Sequence, residues 1–238
     1  MMLQKISNFF LSLLRIDLIR LLVGLIRYKY FSFFTKIKNI GTPYMVNNTI
    51  VHNKGVFNHL ETDFIMNRIK YLYGPMSAIE RINRYSSILL IGSRTENEFL
   101  YLRSFDHKNI KAIDLISYSP LIEMQDMHNL NFKNNTFDAV IMGWTLAYST
   151  HPKKCALEII RVLKNDGVVA IGQEKLKSNS SQLNGVNSLK DIHNLFDHSL
   201  NKIYFQYDAE NSNLPEAEIF KVSKFHSSHL LTLFSIKK

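Results

Sequence analysis

The chain has 238 residues, 46% hydrophobic and 21% charged, with a formal net charge of +9. That length and balance exclude whole-chain disorder and fit one large domain or one domain with an appendage. The single cysteine, Cys155, excludes an internal disulfide and a multi-cysteine metal site, and it fits a reducing, cytoplasmic compartment.

A basic balance attracts anionic partners. The lysines, however, are scattered among asparagine and isoleucine, with no compact arginine-rich arm, so there is no specific nucleic-acid signal. Residues 1–34 are rich in Leu, Ile and Phe. Arg15, Asp17, Arg20, Arg27 and Lys29 interrupt them too often for a membrane span. The apolar run FFLSLL is short and no small-residue cleavage site follows, which makes a poor signal peptide. Gln4, Lys5, Asn8, Ser12 and Arg15 recur at three- and four-residue steps, opposite Leu3, Ile6, Phe9, Phe10, Leu13 and Leu14. That period predicts an amphipathic helix. Such a helix either makes peripheral contact with a membrane or packs on its own domain or on a second copy. The segmentation read from these patterns is a helical extension over 1–40, a helical lead-in over 41–85 and an α/β domain over 86–238.

Gly41, Pro43 and Asn47–Asn48 mark a loop. Val56 to Tyr73 reads as a helix ended by Gly74–Pro75, with a short helix in MSAIERIN after it. From Ser86 the pattern alternates. Ile88–Ile91 (ILLI) is a continuous apolar run, as in a strand buried on both faces. Thr95–Phe105 is helical in pattern, Ile110–Asp114 strand-like, and Phe137–Met142 a second buried strand. Pro152–Lys164 carries a helical stripe with Pro152 suited to the first turn and Cys155 on its buried side. Asn165–Asp166–Gly167 is a turn before the strand Val168–Ile171. Ser188–His198 suggests a helix, Ile203–Tyr207 and Leu230–Ile236 suggest strands, and Ser178–Asn187 a loop. Strands alternating with helices predict a Rossmann-like, mainly parallel sheet with helices on both faces.

In such a sheet, ligands sit beyond the carboxyl ends of the strands. Gly92, Asp114 and Gly143–Trp144 occupy three of those ends, and Asp126 precedes the third strand pattern. The stretch QDMHNLNFKNNTFDAVIMGWTLAYSTHPKKCALEIIRVLKNDGVVAIG, from Gln125 to Gly172, resembles class I S-adenosylmethionine-dependent methyltransferases, in particular the group with the type 11 methyltransferase domain. The resemblance covers Ser86 to Gly172. It implies S-adenosyl-L-methionine as cofactor and methyl transfer to a small-molecule or lipid-linked acceptor. It implies ribose recognition by Asp114, beside Leu115, and adenine contact by Asp126 and Met127. Gly92 and Ser93 match the start of the cofactor loop, and Gly143 and Trp144 the segment flanking cofactor and substrate.

The departures are concentrated in one loop. The family's GxGxG reads GSRTENE here, so Arg94 and Glu96 stand where glycines usually do. Their side chains either reach into the pocket to hold the amino-acid end of the cofactor or pair with each other at the start of the helix. A non-catalytic methyltransferase-like module that binds a membrane or a protein partner is the alternative. An α/β enzyme using another nucleotide is a further one. Asp114 and Asp126 stand too close, with Pro120 between them, for the usual crossover helix, which predicts a rudimentary third strand. Tyr148 and His151 follow the fourth strand and are weak catalytic candidates; His128, like His151, reads most simply as a surface histidine. No HExxH, GxSxG or GxxxxGK[ST] pattern occurs, so no metal is predicted.

Overall fold

The computed structural model of the protein describes residues 9–34, 36–45, 49–66, 68–174, 185–208 and 229–238. Residues 9–13 are helical, a turn over 14–16 follows, and helix α1 spans Asp17–Phe34. The single amphipathic helix expected from the N terminus is therefore interrupted. Its first positions, Leu3 to Asn8, lie outside the described residues. A two-residue strand, β1 (Lys38–Asn39), comes next. The lead-in forms three helices: α2 (Thr49–Val56), α3 (Leu60–Met66) and α4 (Ile69–Ser77). The one helix expected over 56–73 is thus divided by a 3₁₀ turn at Phe57–His59, and α4 runs through Gly74 and Pro75 instead of stopping there. Met76 and Ser77 of MSAIERIN end α4, and the rest forms turns rather than a helix of its own, with Ile82 N–H bonded to the Ile79 carbonyl (2.8 Å).

The remaining elements alternate as the sequence predicts: β2 (Ser87–Ile91), α5 (Asn97–Ser104), β3 (Asn109–Asp114), β4 (Ile116–Ser117), β5 (Ile122–Met124), β6 (Phe137–Gly143), α6 (Pro152–Val162), β7 (Leu163–Glu174), α7 (Leu189–Phe196), β8 (Leu200–Asp208) and β9 (His229–Ile236). The sheet order is β5-β3-β2-β6-β7-β9-β8, with β9 antiparallel to both neighbours and the rest of the pairings parallel. ILLI is apolar throughout because both faces of β2 are covered. Leu89 and Ile91 join Ile159 and Phe196 on one side, while Ile88 and Leu90 join Leu72, Met76 and Leu102 on the other. Asn165–Asp166–Gly167 makes its turn as a bulge within β7, where the pairing jumps from Phe137↔Leu163 to Ala139↔Val168 and Asp166 takes φ +58°. Ser188 caps α7 by accepting the Asp191 N–H at 3.1 Å. Arg161, in the RVLK run, ties α6 to the preceding loop through the Phe132 and Leu130 carbonyls, both at 2.7 Å.

The third strand is rudimentary, as expected. β5 has three residues, and β3 reaches it through a turn carrying β4 instead of a helix. The N-terminal extension fills the gap. β1 pairs antiparallel with β4, Lys38 facing Ser117. Tyr28 of α1 stacks on Phe57 and meets Tyr118 edge-on, with ring centroids 5.8 and 4.9 Å apart. Phe57, Leu60, Ile116 and Tyr118 form a small core that Leu25, Phe31 and Ile37 complete. Without a crossover helix this edge of the sheet would leave apolar surface in water, and the extension removes it. Strand order turns at β2, with β3 on one side and β6 on the other. A crevice opens beyond the carboxyl ends of these strands, the usual ligand position in such a sheet.

Candidate functional site

The crevice is open to solvent and is lined by strand ends, the loops after them and the lead-in helices. Of the residues expected to contact cofactor, Gly92, Ser93, Arg94, Asp114, Leu115, Asp126, Met127, Gly143 and Trp144 all line it. Glu96 does not.

Gly92 follows β2 with φ +85°. Its N–H and that of Ser93 both bond the Ile113 carbonyl, at 2.8 and 3.1 Å, which draws the loop across the end of β3. A β-carbon at Gly92 would fall 1.8 Å from Oγ1 of Thr145. The glycine thus permits both the left-handed turn and the close approach of the two loops. Only this first glycine of the family pattern is sterically required here.

Asp114 ends β3 with its side chain buried. Its Oδ1 accepts the Ile116 N–H at 3.1 Å and lies 3.5 Å from Nδ2 of Asn53 on α2. Burial pushes its carboxyl up to about 7, against the pull of the Ile116 N–H. Asp126 is held differently. Burial raises its pKa, but hydrogen bonds from Thr42 and His128 outweigh that and hold it below the ordinary range. Its Oδ1 also meets Nδ1 of His128 at 2.6 Å, and Nε2 of His128 meets Oγ of Ser149 at 2.6 Å. This aspartate–histidine–serine chain resembles a nucleophile relay in its order alone. Ser149 is fully buried, so the chain acts as a strut between two walls of the crevice. His128 is accordingly a buried histidine whose pKa burial depresses, not the surface residue the sequence suggested.

The departures in GSRTENE resolve by position. Arg94 turns toward the lead-in helices, with Asp63 at 3.4 Å and Asn53 at 3.5 Å, while remaining on the crevice wall. Glu96 points away from the crevice, to Arg27 of α1 and Ser119. It neither contacts the candidate cofactor space nor pairs with Arg94. Proximity in sequence placed both side chains in one loop, but the partner of Glu96 comes from α1. Arg27→Ala leaves the Glu96 carboxylate, 0% exposed, without its counter-charge. The variant is expected to lose about 3 kcal/mol of stability in denaturant unfolding, with ligand affinity unchanged.

Glu98, one turn along, is the acid the sequence reading missed. It lines the crevice beside Gly143 and accepts the Ser93 hydroxyl at 2.5 Å. Burial pushes its carboxyl up to about 7, partly offset by Ser93. Asn53, Asp63 and Arg68 from the lead-in helices also line the crevice. The Arg68 guanidinium sits 5.3 Å from the Trp144 ring, and burial followed by the nearby Arg94 lowers its pKa. No local motif marks these residues, since they meet the site only when α2–α4 fold over it. Glu98 alone had a signal, as an acid in the first turn of the helix after the loop.

Trp144 combines both roles considered for it. It borders the crevice yet is largely buried, with its N–H on the Gly172 carbonyl at 2.7 Å and its indole N–H on His229 at 3.3 Å. Tyr148 lines the crevice and its hydroxyl meets Nε2 of His52 at 3.1 Å. His151 lies outside the crevice, exposed before Pro152 and bonded to the Thr150 hydroxyl at 2.9 Å. Among the described residues, no group of three or more His, Cys, Asp or Glu side chains could hold a metal ion.

Residues 91–171 match the methyltransferase domain family. No curated protein sequence matches the chain. Several solved structures share the fold. Geranyl diphosphate methyltransferase in complex with S-adenosylmethionine superposes with a TM-score of 0.54 at 13% identity, over 83% of this chain and 92% of that one. A provisional sarcosine dimethylglycine methyltransferase from Galdieria sulphuraria gives 0.56 at 13% identity, over 70% and 84%. The [4+2]-cyclase SpnF gives 0.51 at 13% identity, over 71% and 80%. At these identities the likeness is one of fold, and SpnF illustrates that the fold by itself does not fix the reaction. The domain match thus falls on β2 to β7, within a sheet whose fold the solved methyltransferase structures share.

Proposed function

We propose that this chain, built on a class I methyltransferase domain, binds S-adenosyl-L-methionine in the crevice and transfers its methyl group to a small-molecule or lipid-linked acceptor. The observation that carries the reading is the placement of Asp114 and Asp126 on one crevice, beyond adjacent strands, with Gly92 closing its floor. A carboxylate at Asp114 suits two ribose hydroxyl donors. Asp126 and Met127 border the space for the adenine. Beyond Gly92, the crevice carries acids and bases of both signs: Glu98 and Asp63, Arg94 and Arg68. That mixture suits the ammonium and carboxylate of an amino-acid moiety.

The cofactor supplies an activated methyl sulfonium. The protein's share is to orient the acceptor in line with it and to exclude water. Tyr148 and His52 form the polar pair on the lead-in side of the crevice, where an acceptor would enter. Burial, followed by Arg94 and Arg68, lowers the pKa of His52, which favours the neutral, proton-accepting imidazole.

Calorimetry with S-adenosylmethionine and S-adenosylhomocysteine tests the reading directly. Binding of both is expected. No heat with either at millimolar concentration would leave the non-catalytic module as the better account. Affinity should also depend on pH. Asp114 and Glu98 are both raised to about 7 and must be ionised to accept hydroxyl or ammonium donors. As pH falls through 7 each carboxyl takes up a proton, so affinity drops by about tenfold per group between pH 8 and pH 6. The measurable counterpart is net proton release on binding at pH 7, read from the buffer dependence of the binding heat.

A further inference from the structure

Helix α1 is apolar on both of its faces, unlike the usual surface helix. Its inner side packs Leu21, Leu25, Tyr28 and Phe31 on the domain and also turns Arg20, Gly24 and Arg27 inward, whereas its outer side carries Leu18, Leu22, Ile26, Tyr30, Phe33 and Phe34. Arg20 is 0% exposed, bonded to Asn97 (2.6 Å), the Leu14 carbonyl (2.8 Å) and Asp17 (2.7 Å). Phe33 is 84% exposed. The inward arginines lock the helix in this rotation. Turning the apolar stripe inward would strip Arg20 and Arg27 of their partners and bring Gly24 off the Phe64 ring, on which a β-carbon would clash at 2.1 Å. A second apolar stripe several turns long, left in water while the inner face is already packed and its arginines bonded, marks an interaction surface.

Charge identifies what covers it. Lys29 lies within the stripe, and Lys36 and Lys38 are exposed just beyond Phe34. Among the described residues from 9 to 39 the one acid is Asp17, and it is already engaged by Arg20 and Lys70. A second copy docked across a two-fold axis would bring these lysines toward their own counterparts. Anionic headgroups would instead neutralise them, and a lysine within an apolar stripe extends its ammonium to the headgroup level. The aromatic cluster of Tyr30, Phe33 and Phe34, with centroids 4.9 and 5.0 Å apart, is of the kind that favours the membrane boundary. Among the described residues no helix is long and apolar enough to cross a membrane.

We infer that the outer face of α1 docks on the surface of an anionic lipid bilayer, lying in its interface rather than spanning it. Thr42, which bonds Asp126 on the crevice wall, follows Phe34 by eight residues, so this contact would tether the crevice to the bilayer through a short stretch of chain. The inference does not depend on methyl transfer.

The test is flotation of the full chain with vesicles of phosphatidylcholine containing about one-third phosphatidylglycerol, and with phosphatidylcholine alone. The protein is expected to bind the anionic vesicles, with about tenfold weaker binding to the neutral ones and a marked loss in high salt. The double variant Leu22→Glu/Ile26→Glu alters only exposed positions. It should lose vesicle binding by at least tenfold while keeping the parent's melting temperature and its affinity for S-adenosylhomocysteine. Failure of the parent to float with anionic vesicles overturns the inference, as does unchanged binding by the variant. A dimer in analytical ultracentrifugation that the same substitutions dissociate, with no vesicle binding, reassigns the face to a second copy. Loss of S-adenosylhomocysteine binding in the parent would bear on the methyltransferase reading alone.

Discussion

Asp114→Asn is expected to weaken S-adenosylhomocysteine binding by about a hundredfold, roughly 3 kcal/mol. The amide retains the shape of the side chain and can still accept the Ile116 N–H, so the end of β3 keeps its local bond. It has lost the anionic second oxygen that two ribose hydroxyls would share, and its NH₂ would face one of those donors. Because Asp114 is buried with its carboxyl raised to about 7, replacing it removes no settled ion pair, and the melting temperature should change little. The substitution should also cut the pH effect from about a hundredfold to about tenfold, leaving the dependence contributed by Glu98. Calorimetry at pH 6 and pH 8 reads both outcomes. Undiminished affinity in the variant would mean that the adenosyl group does not rest on β3.

Gly92→Ala should be the most damaging change of comparable size. It imposes a β-carbon at φ +85° and drives it to 1.8 Å from Oγ1, 2.6 Å from Cγ2 and 2.7 Å from Cβ of Thr145. Shortening Thr145 to alanine would not relieve the last of these, so the two loops must part. The cost combines left-handed strain with the separation of packed backbone, at least about 3 kcal/mol, or a fall of about 10 °C in melting temperature for a chain of this size. Ligand binding should be lost with it, since the same movement widens the floor of the crevice. Thr145→Gly in the same background should recover part of the stability but not the strain at φ +85°. A Gly92→Ala protein that melts normally would show that the loop reaches its turn by another route.

The sheet was legible because its signal is local. A strand covered on both faces must be apolar at every position, so ILLI and FDAVIM announce themselves, and a helix beginning with proline and carrying a three-to-four-residue stripe does the same for Pro152–Val162. The short gap between Asp114 and Asp126 was enough to foresee a stunted third strand. The lead-in was less legible. Its division into three helices depends on packing of Phe57, Leu60 and Phe64 against α1 and β4, not on propensity within the segment. Pro75 lies inside the last turn of α4 although its ring nitrogen can donate no bond to the turn before, and propensity alone would have ended the helix ahead of it.

Within the site, the strand-end residues Gly92, Asp114 and Gly143 could be read from the sequence because chain order alone puts them there. The fates of Arg94, Glu96, Glu98 and His128 could not, whereas His151 is the exposed residue before Pro152 that the sequence suggested. Each of the former depends on a partner far along the chain or on which side of a loop faces inward: Arg27 for Glu96, Asp63 for Arg94, Ser149 for His128. The same holds for the extension. Composition points to a helical extension before Phe34, but the periodic pattern falls on Leu3 to Arg15, and residues 3–8 of it lie outside the described residues. Only tertiary structure decided that Arg20 and Arg27 turn in while Leu18, Leu22 and Ile26 stay out, because a buried guanidinium settles where its acceptors are, and those acceptors include Asn97 of α5 and Glu96 in the loop before it.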